Sequence, residues 1–262
     1  MAEDSGTAVI AGVRLTHPDK VLYPEQGTTK RALADYYAAV ASSMLPHVRR
    51  RPITLLRCPA GRRRKCFYQR HAGSGVPPPL SEADIPGFET SGAYLYVAGI
   101  EGLIALVQMG VLEIHLWNAK VDRPDRPDRI VFDLDPGEGA GFADIAAAAR
   151  TLRDVLDGMG LASFLKTTGG KGLHVVLPIA RRHAWAEAKA FARGVAEAIA
   201  ADAPTRYLVR QSKAERRGRI FIDYLRNDPT ATAVAPYSTR ARPGAPAAPP
   251  RPGGAPPPRP AQ

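Results

Sequence analysis

Two aspartates, Asp133 and Asp135 in the run Asp128-Arg-Ile-Val-Phe-Asp-Leu-Asp-Pro-Gly-Glu138, have the types and spacing to hold a metal ion. Ile130, Val131 and Phe132 favour a strand, and a strand sends residues i and i+2 to the same face. The two carboxylates are therefore expected side by side, with Leu134 turned into a core and Pro136-Gly137 ending the strand at an open rim. Paired carboxylates repel and are costly to desolvate unless a cation lies between them, and oxygen-only ligands favour a hard ion such as Mg²⁺ or Mn²⁺. The bland alternative is a solvated strand end carrying two ordinary acids. A third acid, Asp223, stands alone in Arg219-Ile-Phe-Ile-Asp-Tyr-Leu-Arg-Asn227. A charge in such an apolar run needs a partner, either a salt bridge to Arg219 or Arg226 or a metal shared with Asp133 and Asp135.

Other stretches carry polar chemistry. In Val111-Leu-Glu-Ile-His-Leu-Trp-Asn118, alternation puts Glu113, His115 and Trp117 on one face and aliphatic residues on the other, as in a site wall. The loop Lys166-Thr-Thr-Gly-Gly-Lys-Gly-Leu-His174 can form a backbone nest for phosphate oxygens, or a plain hairpin turn. It is not a P-loop, because Gly172 follows Lys171 and no helix follows the loop. Arg62, Arg63, Arg64 and Lys65 run into Phe67 and Tyr68, a phosphate-plus-stacking composition. By their residue types alone, Lys20 and Lys30 are solvated lysines flanking a turn.

These residues need a scaffold, and 262 residues suffice for one large domain or two small ones. The net charge of +11 favours a polyanionic partner, nucleic acid first. Only Cys58 and Cys66 are present, too far apart for a CxxC unit, so neither a disulfide scaffold nor a zinc site is expected. With no apolar leader at the start and no stretch long enough to span a membrane, a reducing cytoplasm, close to the nucleoid, is the expected compartment, with no membrane partner. Helical spacing predicts a helix from Lys30, capped by Thr28 or Thr29 and stopping before Pro46, with others over 100–109, 142–159 and 184–200. Strands are expected over 52–57, 94–97, 111–118, 130–135, 161–165, 175–178 and 219–227. Residues 1–12 read as a flexible arm and 243–262, rich in Pro, Gly, Ala and Arg, as a disordered tail, leaving 13–242 as the catalytic domain.

Taken in order, Lys20-Val-Leu-Tyr-Pro24, Cys66-Phe-Tyr-Gln-Arg-His71, Leu112-Glu-Ile-His-Leu-Trp-Asn118, Phe132-Asp-Leu-Asp-Pro-Gly137, Thr168-Gly-Gly-Lys-Gly-Leu-His174, Phe221-Ile-Asp-Tyr-Leu-Arg-Asn227 and Ala235-Pro-Tyr-Ser-Thr-Arg-Ala-Arg242 resemble the polymerase domain of bacterial DNA ligase D. That domain belongs to the archaeo-eukaryotic primase superfamily. The resemblance implies an α+β, primase-like catalytic core of two β-sheets with flanking helices. It implies catalytic Asp133, Asp135 and Asp223 binding two Mn²⁺ or Mg²⁺ ions, one activating a primer 3′-hydroxyl and one steadying a triphosphate. It places His115 at the sugar of the incoming nucleotide, Thr168, Lys171 and His174 in the loop that holds the triphosphate, and Arg226, Arg240 and Arg242 around it. It assigns Lys20 and Lys30 to a downstream 5′-phosphate and Phe67 to the template. The implied activity is template-directed gap filling at broken DNA ends during non-homologous end joining, often with ribonucleotides, alongside Ku and an ATP-dependent ligase.

Three departures stand out. Thr168 replaces the family's usual serine, the Pro-rich tail replaces an ordered Trp-containing segment, and no Lys-x-Asp-Gly ligase motif is present, so the ligase would be separate. The rivals are a non-catalytic DNA-end binding module and a metal-dependent phosphoesterase. The latter usually shows more histidine ligands and no triphosphate shell.

Overall fold

The computed structural model describes residues 6–88, 92–212 and 214–250. The chain forms two compact units, Met1–Leu116 with Val234–Ala247 and Trp117–Ala233 with Ala248–Gln262. In chain order the elements are β1 (Thr7–Ile10), β2 (Val13–Thr16), β3 (Val21–Tyr23), β4 (Thr28–Thr29), α1 (Lys30–Val48), β5 (Ile53–Arg57), β6 (Phe67–Gln69), β7 (Ser81–Ala83), β8 (Tyr94–Tyr96), α2 (Ile100–Gln108) and β9 (Val111–Leu116). The second stretch adds β10 (Arg129–Pro136), α3 (Phe142–Gly158), β11 (Phe164–Thr167), β12 (Leu173–Pro178), α4 (Trp185–Asp202), β13 (Tyr207–Leu208), β14 (Ile220–Asp223) and β15 (Ala233–Val234). This α+β architecture has one sheet of order β15-β9-β5-β6 and another of order β11-β12-β10-β14-β13.

In the first unit, β9 and β5 pair antiparallel, and Ile53, Leu55, Leu112 and Ile114 join Leu33, Tyr37 and Met44 of α1 and Leu103 to Val107 of α2 in one core. Thr29 caps α1 by accepting from the Ala32 N–H at 3.1 Å. The helix overruns the stop expected at Pro46. Val48 is fully buried and the Arg49 N–H closes on Leu45 O at 2.9 Å, so packing of the last turn outweighs the bond that Pro46 cannot make. Residues expected to form a loose arm instead form a hairpin, β1 pairing with β2 from Thr7↔Thr16 to Ile10↔Val13, with Gly12 at positive φ in its turn. Residues 1–5 of that arm lie outside the described residues. Cys58 and Cys66, in a chain not expected to be a disulfide scaffold, form a disulfide that closes the basic loop between them.

In the second unit the period-2 alternation of β10 decides everything. Ile130, Phe132 and Leu134 pack with Leu173, Val175 and Leu177 of β12 and Ile220 and Ile222 of β14 against the apolar stripes of α3 and α4. Burying each such side chain contributes roughly 1.5 to 3 kcal/mol. The odd-numbered residues, Asp133 and Asp135, must then face away from the helices. The strand expected over 161–165 begins at Phe164 instead, because the end of α3 takes Leu161 N–H onto Leu156 O and Gly160 adopts φ +73°. The strand expected through Asn227 stops at Asp223, whose side chain accepts the Leu225 N–H at 2.8 Å and starts a turn. The expected disordered tail is placed as far as Pro250. Arg240 N bonds Pro246 O, and on the edge of β11 Thr167 N meets Pro249 O while Lys166 bridges Pro250. Residues 251–262 of that tail lie outside the described residues. No helix among the described residues is long and apolar enough to cross a membrane.

Candidate active site

One row of residues crosses the second unit's sheet on the face away from its helices. Lys166 of β11 pairs in register with His174 of β12, His174 with Asp133 of β10, and Asp133 with Asp223 of β14. Asp135 stands two residues farther along β10, opposite Phe221. The sheet thus brings Asp133 and Asp223, 90 residues apart in sequence, into direct cross-strand contact distance. Arg226, on the turn after β14, puts Nε 3.2 Å from Asp133 Oδ2 and 3.5 Å from Asp223 Oδ2.

The turn that carries Arg226 is built by Asn227. Its side-chain amide continues the ladder where β14 leaves β10, accepting from Val131 N and donating to Val131 O, both at 2.8 Å. Asn118 donates to Arg226 O and to Asn227 Oδ1.

The acids are electrostatically frustrated. Burial, then the Asp133 charge beside it, push the Asp135 carboxyl up to about 6. Burial also raises Asp223. Asp133 lies below its usual range: burial would raise it, but the His174 imidazole, Arg226 and Lys166 pull it down. His174 Nε2 is 3.3 Å from Asp133 Oδ1. Burial and the Lys166 ammonium lower His174 to about 4.

Three observations fit a hard divalent ion here. Asp133 Oδ1 is buried without a hydrogen-bond partner. The Asp133 charge raises the pKa of both Asp135 and Asp223, as happens where a counter-cation belongs among carboxylates. A Cβ on Gly172 would come 2.7 Å from Leu134 O, 3.2 Å from Asp135 Oδ1 and 3.6 Å from Asp133 Oδ1, so only glycine leaves that space over the carboxylates. Among the described residues no group of three His, Cys, Asp or Glu is preformed as a metal cage. An ion held by one or two carboxylates and completed by substrate phosphates needs none.

Gly172 closes the loop expected to hold phosphate. Thr168 Oγ1 donates to Gly172 O at 2.9 Å and Gly169 adopts φ +63°, which folds the loop back on itself, while Lys171 stays exposed at its tip.

The first unit has its own cluster. Glu113 and His115 share a face of β9, with His115 Nε2 2.9 Å from Glu113 Oε2. Arg240 Nε is 3.0 Å from the same oxygen. The segment bearing Arg240 is held on β9 by Ser238 Oγ, which accepts from Ile114 N, and by Thr239 Oγ1, which donates to Leu112 O. Arg242 is exposed. Phe67 is 41% exposed with the Arg57 guanidinium 5.3 Å from its ring, and Tyr68, 65% exposed, lies edge-on to His115.

The model of one domain family, LigD primase-polymerase, matches residues 29–252. The chain belongs to the LigD primase-polymerase family. These domains are nucleotidyltransferases. The chain is 39% identical over 239 residues to the multifunctional non-homologous end joining protein LigD of Pseudomonas aeruginosa, covering 91% of this chain and 28% of that protein. It is 37% identical over 245 residues to the LigD DNA repair protein of Mycobacterium tuberculosis, covering 90% of this chain and 32% of that one. The chain therefore spans about a third of the length of these curated relatives. The solved polymerase domain from Mycobacterium tuberculosis ligase D in complex with DNA superposes with a TM-score of 0.85 at 37% identity, covering 91% of this chain and 86% of that one.

Within this LigD domain, the two lysines expected at a 5′-phosphate differ in exposure. Lys20 is exposed, but the Lys30 ammonium is buried on Thr16 O at 2.9 Å, Gln108 Oε1 at 3.2 Å and Gln108 O at 3.4 Å. The α1 N-terminus does not offer bare donors either: Lys30 N bonds Lys20 O, Arg31 N bonds Pro18 O and Ala32 N bonds Thr29 Oγ1. Sequence reasoning gave no role to Lys166, Asn118 or Asn227 and only a wall position to Glu113. Their neighbours in space are far away in sequence, and the one available signal was the placement of Glu113 two residues before His115.

Proposed function

We propose that this domain extends the 3′ end of a primer strand at a gapped or broken DNA end, choosing each nucleotide against a template, as the polymerase part of end joining. The observation that carries this reading is the cross-strand row in which Asp133 faces Asp223, with Asp135 beside them and the Thr168 to Gly172 loop folded over the pair. In this reading Asp133, Asp135 and Asp223 hold two divalent ions, Mn²⁺ or Mg²⁺, which when bound supply a more acidic 3′-hydroxyl and a neutralised triphosphate. The chain's own residues do the rest by positioning. Thr168, Lys171, His174 and Arg226 address the triphosphate in the second unit. Within the first unit taken by itself, Arg240 and Arg242 are assigned to nucleotide phosphate and His115 to the sugar. Arg226, which pairs with Asp133 and Asp223, shifts its partners from carboxylate to phosphate when nucleotide binds.

On the DNA side, Phe67 stacks on the template and the exposed Lys20 meets the downstream 5′-phosphate. Lys30 sits close enough to feel the Lys20 charge, since burial first and Lys20 second lower its pKa. It acts mainly by fixing the backbone of the Lys20 turn. Ribonucleotides are the preferred substrates. Ku and an ATP-dependent ligase activity are the proposed partners, and the cytoplasm is the compartment.

The test is a 5′-phosphorylated gapped duplex with Mn²⁺ and each nucleotide in turn. Templated addition that requires Asp133, and a salt-sensitive preference for the 5′-phosphate over a 5′-hydroxyl that Lys20→Ala erases, are expected. Tight binding of the duplex with no addition under any metal would overturn the reading in favour of a DNA-end binding module.

A further inference from the structure

We propose that Glu113 is a positioning residue for nucleotide binding: one buried carboxylate orients both His115 and Arg240, so that the sugar contact and a phosphate contact are made or lost together. The inference rests on the assignment of His115 and Arg240 to the nucleotide made above, and it deepens that assignment. Glu113 is only 4% exposed. Its Oε1 accepts the Ala241 N–H at 2.8 Å, which fixes the plane of the carboxylate. Its Oε2 then lies between two cationic or proton-bearing groups, His115 Nε2 at 2.9 Å and Arg240 Nε at 3.0 Å.

The chemistry of each contact follows. Burial would raise the Glu113 carboxyl, but His115, Arg240 and the Ala241 N–H bring it down to about 2, so at neutral pH it is ionised and can only accept. The proton between Glu113 and His115 must therefore sit on Nε2. In the neutral ring this makes Nδ1 an acceptor, and the partner it suits is a hydroxyl that donates, such as a sugar hydroxyl. At the other end, the Glu113 charge holds the Arg240 guanidinium beside it, with Nε 3.0 Å from Oε2, and a guanidinium held in place is what phosphate oxygens meet in pairs.

The surrounding backbone is shaped for the same end. Tyr237 adopts φ +64° with its carbonyl accepting from Tyr36 OH at 2.8 Å, and this turn delivers Ser238, Thr239 and Arg240 onto β9. A residue with a side chain at positive φ is held under strain by its surroundings. Stability alone does not call for a buried acid here, since an apolar side chain of similar size serves a core equally well.

The test has one arm that needs no catalysis. In ¹⁵N-histidine-labelled protein without metal, nucleotide or DNA, with His115 assigned by comparison with His115→Asn, the neutral ring is expected to carry its proton on Nε2, and Glu113→Gln to mix the two tautomers. In the kinetic arm, Glu113→Gln is expected to raise the nucleotide KM by about tenfold or more while kcat and DNA affinity change little, because a charged hydrogen-bond partner is lost in binding only. Glu113→Gln is expected to change the KM of the His115→Asn, Arg240→Ala double variant by less than about twofold, because both groups it orients are then gone. A wild-type His115 protonated on Nδ1, an unchanged KM in Glu113→Gln, or losses that multiply would each overturn the proposal. The tautomer is read whether or not the protein adds nucleotides, so a failure of the polymerase reading and a failure of this one remain distinct.

Discussion

Each of the two units buries carboxylates, and they treat them in opposite ways. In the first, Glu113 is complete within the protein, with a backbone N–H, an imidazole and a guanidinium around it, and its pKa falls to about 2. In the second, Asp133, Asp135 and Asp223 face one another, Arg226 reaches two of them, one buried oxygen has no hydrogen-bond partner, and Asp135 rises to about 6. An acid that orients protein groups has its charge balanced by those groups. The acids of the second unit are left unbalanced, a cost that a bound divalent ion would relieve.

The largest effect should come from the unbalanced set. Asp133→Ala is expected to abolish nucleotide addition in a primer-extension assay and to leave DNA affinity by gel shift nearly unchanged; extension at the wild-type rate would remove the row from the mechanism. Stability should split the other way. Glu113→Ala breaks a completed buried pair, and unfolding in urea should show a loss of about 3 to 5 kcal/mol, whereas Asp135→Asn should raise the Tm of the metal-free protein by relieving repulsion.

The pH dependence sharpens the contrast. The ordinary value for Asp135 is 3.8 and its folded value is about 6, so the folded state binds the extra proton between them and metal-free stability should fall as pH climbs through that window. Glu113 has the opposite sign: its contribution is present above its ordinary 4.5 and disappears as pH falls toward 2. Calorimetric Tm against pH should show the first slope in the wild type and lose it in Asp135→Asn. Mn²⁺ at about a hundred times its Kd should stabilise the wild type by about 2.7 kcal/mol at neutral pH and Asp133→Ala far less. The smallest effect is expected at Thr168→Ser, which keeps the hydroxyl that donates to Gly172 O; a KM shift beyond about twofold would mean that the methyl group, 8% exposed with its residue, has a packing role.

Much of this was legible in the chain of residues. The alternation Ile130, Phe132, Leu134 against Asp133, Asp135 names the strand, its buried face and its chemical face at once, because a strand has no other way to satisfy that pattern. The apolar stripes of α1, α3 and α4 are equally local, and the ordered set of short motifs carried the family. Element ends were not legible where a distant contact decided them. Pro46 lies inside α1 because Val48 finds a core, and β14 stops at Asp223 because that side chain turns back on Leu225 N.

What sequence alone determined is therefore which residues carry charge and which face of each element they occupy, since both depend on residue type and period. Only the tertiary structure decided which charges meet. Asp133 finds Asp223 and His174 through strand register, Glu113 finds Arg240 across 127 residues of chain, and the Lys30 ammonium turns inward to Thr16 and Gln108. Register and long-range contact are set by the packing of whole sheets and helices, and no local spacing encodes them.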